Sequence, residues 1–309
     1  MNLEAFILGT GGMMPLPGRN LTSLMLRREG DLFLFDCGEA TQVSLRRLNL
    51  RWKKISAIFI SHTHADHVTG LPGILMLSSQ VDRSEPLYIY GPPKIREYVE
   101  VNRKALEMYV NYEIIVKEMP EVGIVHEERD FYVESFPLYH TRQCVGYSYI
   151  EHERAGVFNP DAAEKLKVPK GPLWAKLQAG EDVHNSDGIQ VSSQQVMGAA
   201  RKGRKVSFVT DTMYKEDISS HVANADLFVC EGMFKDALSD SAKEKKHLTA
   251  VQAAKIARDA GGIASMGLIH FSPRYTNKDL NDLLIEAKNV FPETFLCRDR
   301  MKIDLPFVD

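Results

Sequence analysis

The chain reads as an α/β protein in which two sheets pack face to face with helices outside. The first half is a strand-rich layer interrupted by helical segments, and the second half repeats a strand–helix alternation. A mixed antiparallel and parallel order of this kind buries one face of each sheet against the other and covers the second face with helices. Between the halves, over about residues 151–193, hydrophobic periodicity weakens while charge, Pro and Gly increase, which marks an insertion.

Residues 3–8, 23–28 and 31–35 are expected strands separated by Gly- and Pro-rich turns, and 39–48 an amphipathic helix. The apolar run Ala57-Ile58-Phe59-Ile60 is a buried type of strand. Residues 71–79 and 94–109 read as helices, and 86–90, 112–117 and 131–136 as strands. After the insertion come strands 205–209 and 226–230, helix 249–260, strand 264–269, helix 277–290 and strand 294–297. Strand order does not follow from these periodicities.

With 309 residues and 44% hydrophobic content, the chain can build one elaborated domain or two smaller ones. No apolar stretch is long enough for a membrane helix, and the start lacks the features of a secretory signal. Cys37, Cys144, Cys230 and Cys297 are widely spaced, which argues against a zinc ribbon or a disulfide framework and fits a reducing cytoplasm. A net charge of −3 gives no global attraction to nucleic acid, so a polyanionic partner would be held by local basic clusters. Arg46, Arg47, Arg51, Lys53 and Lys54 form one, Arg201, Lys202, Arg204 and Lys205 another, and Lys243, Lys245 and Lys246 a third; each taken alone reads as a solvated surface rather than a binding face.

The chemistry concentrates in Ser61-His62-Thr63-His64-Ala65-Asp66-His67, directly after the apolar strand. His62 and His64 project to one side of an extended chain, while Asp66 and His67 can turn toward a second centre as the strand ends. Imidazole with carboxylate suits zinc or another transition metal better than calcium or magnesium. Three further residues end apolar strand-like runs: His140, Asp211 and His270. If His62, His64 and His140 hold one ion and Asp66, His67 and His270 the other, Asp211 is left to bridge. Such a bridge holds two ions about 3.5–4 Å apart with a position for a shared hydroxide.

Within the insertion, residues 165–176 carry four lysines, no acid and Trp174. Two readings stand: a surface hairpin whose Leu173 and Trp174 pack on the body, or a protruding arm that grips phosphates with Lys and stacks Trp on RNA.

These residues resemble the metallo-β-lactamase fold family and, within it, are similar to the tRNA 3′-processing endonucleases of the ribonuclease Z type in their short bacterial form. The resemblance runs through Leu8-Gly9-Thr10-Gly11-Gly12, the turn ending Pro17-Gly18-Arg19-Asn20, Phe35-Asp36-Cys37-Gly38-Glu39, and His62 to His67. It continues through His140, Gly171-Pro172-Leu173-Trp174, Asp211-Thr212, Glu231, His247 and His270-Phe271-Ser272 with Arg274-Tyr275. It implies a single αββα domain over 1–309 with residues 151–193 as a tRNA-binding arm, and two zinc ions, with manganese or iron as alternatives. By the same resemblance Asp66 would bind metal and act on the attacking water, and Glu231 with His247 would deliver a proton to the departing 3′ oxygen. Arg19, Asn20, Ser272, Arg274 and Tyr275 would contact RNA near the site, and Lys170, Gly171, Pro172, Trp174 and Lys176 would contact it on the arm. The implied substrate is precursor tRNA and the implied assembly a homodimer in the cytoplasm.

The chain departs from the family pattern at Cys230, Gly232 and Met233 around the acid, at Leu248 after His247, at Pro273 before Arg274 and at Pro17 in the loop that inspects the RNA end. Two other readings remain: a phosphodiesterase of the same fold acting on small diesters or cyclic nucleotides, and a non-catalytic RNA- or partner-binding protein.

Overall fold

Strands and helices follow one another in an order that carries the chain twice through a sheet-and-helix layer. The computed structural model describes residues 2–81, 83–119 and 122–308. The first layer comprises β1 (Leu3–Gly9), β2 (Ser23–Arg28), β3 (Asp31–Phe35), α1 (Thr41–Arg47), β4 (Ile55–Phe59), α2 (Ala65–Val68), α3 (Leu71–Ser79), β5 (Leu87–Gly91), α4 (Ile95–Ala105) and β6 (Ile114–Glu118). Next come β7 (Gly123–Glu127), β8 (Phe131–Tyr139) and β9 (Gln143–Glu151), then α5 (Pro160–Lys165), α6 (Pro172–Gln178), β10 (Val183–His184) and β11 (Gln190–Val191). The chain ends with β12 (Lys205–Val209), α7 (Ile218–Val222), β13 (Leu227–Glu231), α8 (Ser239–Lys245), α9 (Ala250–Ala260), β14 (Met266–Ile269), α10 (Asn277–Lys288), β15 (Thr294–Leu296) and β16 (Lys302–Asp304).

Two seven-stranded sheets result, in the orders β16-β1-β2-β3-β4-β5-β6 and β15-β14-β13-β12-β9-β8-β7, and β10 pairs with β11 in a two-stranded sheet. Within the first, β3, β4, β5 and β6 are parallel; within the second, β12, β13, β14 and β15 are. Parallel strands need crossovers, and the helices α1, α3, α4, α7, α9 and α10 lie in them.

The alternation of side chains assigns every strand residue to a layer. Phe33, Phe35, Ala57 and Phe59 meet Tyr147, Tyr149, Phe208 and Val229 between the sheets. Their neighbours Leu32, Leu34, Ile58 and Ile60 face α1, α3 and α4, and Val209, Phe228 and Cys230 face α7, α9 and α10. This is the αββα sandwich expected from the sequence. Phe59 is its inner hinge pin, stacked between Phe35 at 4.9 Å and Tyr90 at 5.1 Å between ring centroids.

Several elements differ from the sequence expectation. β9 is buried on nearly every residue and so shows no alternation to read. β7 is an edge strand with little apolar content, and β16 is only 3 residues long. The helix expected over 94–109 stops at Ala105, and Glu107 adopts a positive φ of 46°.

By its internal contacts the chain divides into two compact units. One holds the residues up to Ile150 together with Lys205–Pro306; the other holds Glu151–Arg204 with the residues from Phe307 onward. The insertion thus extends eleven residues beyond the expected end at 193. Its two chain crossings are tied by a buried forked ion pair, in which Arg204 Nε donates to Glu151 Oε2 at 2.8 Å and the second guanidinium nitrogen to Oε1 at 2.7 Å. The insert has its own core of Ala163, Val168, Trp174, Leu177, Val183, Val191 and Val196.

Truncating the aromatic between the sheets leaves a cavity that the close-packed neighbours cannot fill. Phe59→Ala is expected to lower unfolding free energy by about 3–5 kcal/mol, read from the urea midpoint with an unchanged m-value; a loss below ~1 kcal/mol would contradict this packing role.

Candidate metal centre

The site residues sit where parallel strands end, the usual place for ligands in α/β sheets. β3 ends just before Asp36, β4 just before the His62–His67 segment, β12 before Asp211 and β14 before His270, while β13 ends on Glu231 and β8 just before His140. Strands hold the loop residues that follow them with little freedom. His62 and His64 lie in the extended connection after β4, whereas Asp66 and His67 begin a new helix, α2. His270 adopts a left-handed backbone with φ 59°, which turns its ring back under the loop.

Donor atoms of His62, His64, His140 and Asp211 lie within 4.8 Å of one another, as do those of Asp66, His67 and His270. Asp211 reaches both groups: Oδ2 is 3.6 Å from His62 Nε2 and from His140 Nε2, and Oδ1 is 3.2 Å from His67 Nε2 and from His270 Nε2. The structure therefore gathers all seven residues nominated from sequence.

Hydrogen bonds on the far sides of the rings decide what the near sides offer. Ser61 Oγ donates to Asp36 Oδ2 at 2.8 Å, so it accepts from His62 Nδ1 at 3.0 Å and leaves His62 Nε2 a lone pair. His140 Nδ1 donates to the Lys246 carbonyl at 2.9 Å, and His67 Nδ1 to Asp36 Oδ2 at 2.7 Å. The inward nitrogens then face one another as acceptors: His62 Nε2 and His64 Nδ1 at 2.9 Å, His140 Nε2 and His64 Nδ1 at 3.2 Å, His67 Nε2 and His270 Nε2 at 3.3 Å. One proton on His64 cannot satisfy two such neighbours. A cation among them does, so the donor set fits a metal.

Electrostatics agree with that reading. Burial, reinforced by the neighbouring His67, pushes His62 well below the ordinary imidazole range, and burial likewise lowers His64 and His140, which keeps these rings neutral. His67 behaves oppositely: burial works against its charged form, but Asp211, Asp36 and Asp66 outweigh it and raise its pKa. The same surplus of carboxylate attracts a metal ion, which competes with ring protons for it. Asp66 and Asp211 lose by burial and gain more from the surrounding imidazoles, so both are held below the usual carboxylate range.

Asp36 was not nominated as a site residue, although Leu32-Phe33-Leu34-Phe35 before it is the same apolar run that flags Asp211 and His270. Its carboxylate is fully buried and, besides Ser61 Oγ and His67 Nδ1, accepts from Ser61 N at 2.7 Å. Gly12 is a second residue of the site that was not nominated, although it ends the Leu8–Gly12 segment of the resemblance. A Cβ there would lie 2.6 Å from His270 Cε1, so only glycine lets the loop close over this ring. The next residue, Met13, donates its N–H to Asp66 Oδ2 at 2.6 Å.

Beside the cluster, Glu231 is buried and accepts from Thr212 N at 2.7 Å. His247 Nδ1 lies 3.1 Å from Glu231 Oε2, and its Nε2 lies 4.0 Å from Asp211 Oδ2. Burial disfavours the charged ring, but Glu231 and then Asp211 outweigh it and raise His247 to about 9. The ring is held by the chain after α8: His247 N donates to the Ala242 carbonyl at 2.8 Å, and Thr249 opens α9 as its N-cap.

The residues expected to touch RNA fall into three groups. Arg274 is exposed, its guanidinium 5.2 Å from the Phe234 ring, and Ser272 and Tyr275 shape the same loop. Arg19 instead braces that loop, donating to the carbonyls of Tyr275 at 3.1 Å and Ser272 at 3.5 Å, and Asn20 is spent on Ser44 Oγ and Asp299. These two shape the surface from within. On the insert Lys170, Gly171, Pro172 and Lys176 are exposed. Trp174 is not: only 9% accessible, its Nε1 donates to the Val168 carbonyl at 3.0 Å and its ring packs 5.1 Å from Phe158. Stacking of Trp174 on a base is thereby corrected, because the indole is the centre of the insert's own core.

Fold and donor set together define a metallohydrolase of the metallo-β-lactamase fold. The family model described as Anti-Pycsar protein Apyc1 matches residues 3–148. Over 309 residues the chain is 64% identical to ribonuclease Z of Treponema denticola, covering all of both chains. The structure of human tRNase Z, short form, superposes with a TM-score of 0.72 at 26% identity, covering 98% of this chain and all of that one. The metallo-beta-lactamase fold protein YhfI of Bacillus subtilis shares the fold, with a TM-score of 0.70 at 18% identity over 98% of this chain and 99% of that one. The chain belongs to the ribonuclease Z family.

Replacing one of the two Asp36 oxygens, which together accept from Ser61 and His67, by an amide donor tests the outer layer of the site. Asp36→Asn is expected to weaken divalent-metal binding about 10- to 100-fold, read by competition with a chromogenic chelator; unchanged affinity would remove Asp36 from the metal centre.

Proposed function

We propose that the protein is a metal-dependent endoribonuclease that cuts precursor tRNA on the 3′ side of the discriminator nucleotide, releases the 3′ trailer and leaves a 3′-hydroxyl. The observation that carries this reading is family membership along the full length, with the insert at 151–204 included. His62, His64 and His140 would hold one divalent ion and Asp66, His67 and His270 another, with Asp211 between them; zinc suits this nitrogen-rich set, and manganese and iron are compatible with it. Bound there, such ions supply a nucleophile from water at neutral pH and neutralise charge on the phosphoryl oxygens.

The chain's own groups supply the rest. Asp66, kept ionised, orients the attacking water and accepts its proton. His247, braced at Nδ1 by Glu231, carries a proton at Nε2 and delivers it to the 3′ oxygen as the P–O bond breaks, because an alkoxide is a poor leaving group. Arg274 and Ser272 steady a phosphate beside the site, the guanidinium through forked contacts that lysine cannot make.

The insert acts as the arm that grips the tRNA elbow. Its exposed Lys165, Lys170 and Lys176 provide phosphate contacts, while Lys167 is partly neutralised by Asp187 at 2.8 Å. Two copies would form a homodimer in which the arm of one serves the site of its partner. Among the described residues no helix is long and apolar enough to cross a membrane, and a cytoplasmic location is consistent with a tRNA substrate.

His64→Ala or Asp211→Ala is expected to abolish cleavage of precursor tRNA while leaving gel-shift affinity within about threefold, because phosphate contacts dominate nucleic-acid binding. Normal cleavage by either variant would refute the donor assignment. Lys170→Ala with Lys176→Ala is expected to weaken tRNA binding and reduce the slope of log affinity against log salt by about 1–2. An unchanged slope would make the insert a structural appendage only.

A further inference from the structure

A second cavity opens beside the proton-delivering histidine. It has a volume of about 280 Å³ and is lined by Met213, Tyr214, Ser239, Asp240, Lys243 and Gln252, with His247 in its wall. That is just below the about 300–1,000 Å³ typical of small-molecule sites, so it takes one nucleoside and not a stretch of chain. The lining is divided by chemistry. Met213 and Tyr214 are half-buried and offer a soft thioether and an aromatic ring, the surfaces on which a flat base rests. Gln252 Oε1 is occupied by Thr249 N at 3.0 Å, which leaves its Nε2 as a donor, and the exposed Ser239 adds a hydroxyl. Lys243 and Asp240 are both exposed on α8 and bring one cation and one carboxylate to the lining, the lysine for a phosphate and the carboxylate for a base amine or ribose hydroxyl. A half-apolar slot with edge donors, one carboxylate and one exposed cation matches a nucleotide better than an amino acid or a sugar.

We propose that this cavity holds the last nucleoside of the tRNA body, its base lying on Tyr214 and Met213 and a flanking phosphate paired with Lys243. The inference rests on the function proposed above. In that reaction the phosphorus–O3′ bond breaks, O3′ takes the proton from His247 Nε2, and the phosphate with the oxygen of water leaves on the trailer. The nucleoside that carries O3′ must therefore lie against His247, and the cavity that shares His247 as a wall is where its base can go. Tyr214 and Lys243 thus fix which phosphate enters the metal centre, and the choice of cleavage position depends on them.

The test uses the full-length protein with precursor tRNA. Tyr214→Ala is expected to raise KM on the order of tenfold and to spread the mapped product ends to neighbouring phosphates, while Tyr214→Phe keeps wild-type KM and ends. In an Asp211→Ala background, 2-aminopurine placed at the last body position is quenched on binding when Tyr214 is present and stays bright in Tyr214→Ala. Unchanged KM, ends and quenching in a Tyr214→Ala protein with wild-type circular dichroism would overturn the proposal. Should that variant not fold, exposed Lys243→Gln carries the test: a raised KM with a flatter salt dependence supports the proposal, and no change in either overturns it. Absence of any cleavage by the wild type would sink the endonuclease reading instead, while the quenching result would still judge the cavity.

Discussion

The buried carboxylate of Asp36 is the contact on which the site depends. It receives the Ser61 amide and hydroxyl and the His67 ring, so one group joins the end of β3 to the start of the histidine segment and to α2. Through Ser61 it also sets the tautomer of His62, and through His67 it sets the inward face of the second donor group. A fully buried carboxylate without such partners would be costly, and with them it converts burial into orientation. The sheets contribute by stiffness: parallel neighbours β3 and β4 present their ends side by side, and Phe35 and Phe59 lock them together beneath the polar layer.

Around that hub the charges are graded. The rings nearest β4 and β8 are kept neutral by burial, the carboxylates at the centre are kept ionised by the imidazoles, and His247 is kept protonated by Glu231. Lone pairs thus converge at the middle of the cluster while a proton is stored at its rim. A hydrolase needs that separation, since the group that helps water attack and the group that protonates the leaving oxygen must hold opposite protonation states at one pH. At the departures around Glu231, Cys230 faces the α7, α9 and α10 layer, and Glu231 itself points to Thr212 and His247.

The insert follows a different logic. It folds around Trp174 and closes its own base with the Glu151–Arg204 pair, which lets it present lysines from a stable body. An indole used as packing and a set of lysines left outside are two consequences of one small core: with few residues to bury, the largest apolar side chain goes inside and the charged ones remain in water.

Much of this was legible in the order of residues. Strands 23–28, 31–35 and 205–209 were read to the residue because each alternates or runs apolar between clear turn signals, and His62, His140, Asp211 and His270 declared themselves as polar residues closing apolar runs. Local pattern failed where burial removed it, as in β9, and where a residue's task lies across the chain: Arg19 gives up its guanidinium to carbonyls some 253 positions away, Gly12 makes room for His270, and Trp174 turns inward. The sequence by itself determined the kind of chemistry, because imidazoles and carboxylates at strand ends have few other uses, and it determined the layers, because side chains alternate along a strand. Only the tertiary structure decided which ring nitrogens face inward, which arginine is exposed and which is buried, and where a cavity opens beside His247. Those depend on hydrogen bonds between residues distant in the chain, and no short-range pattern encodes them.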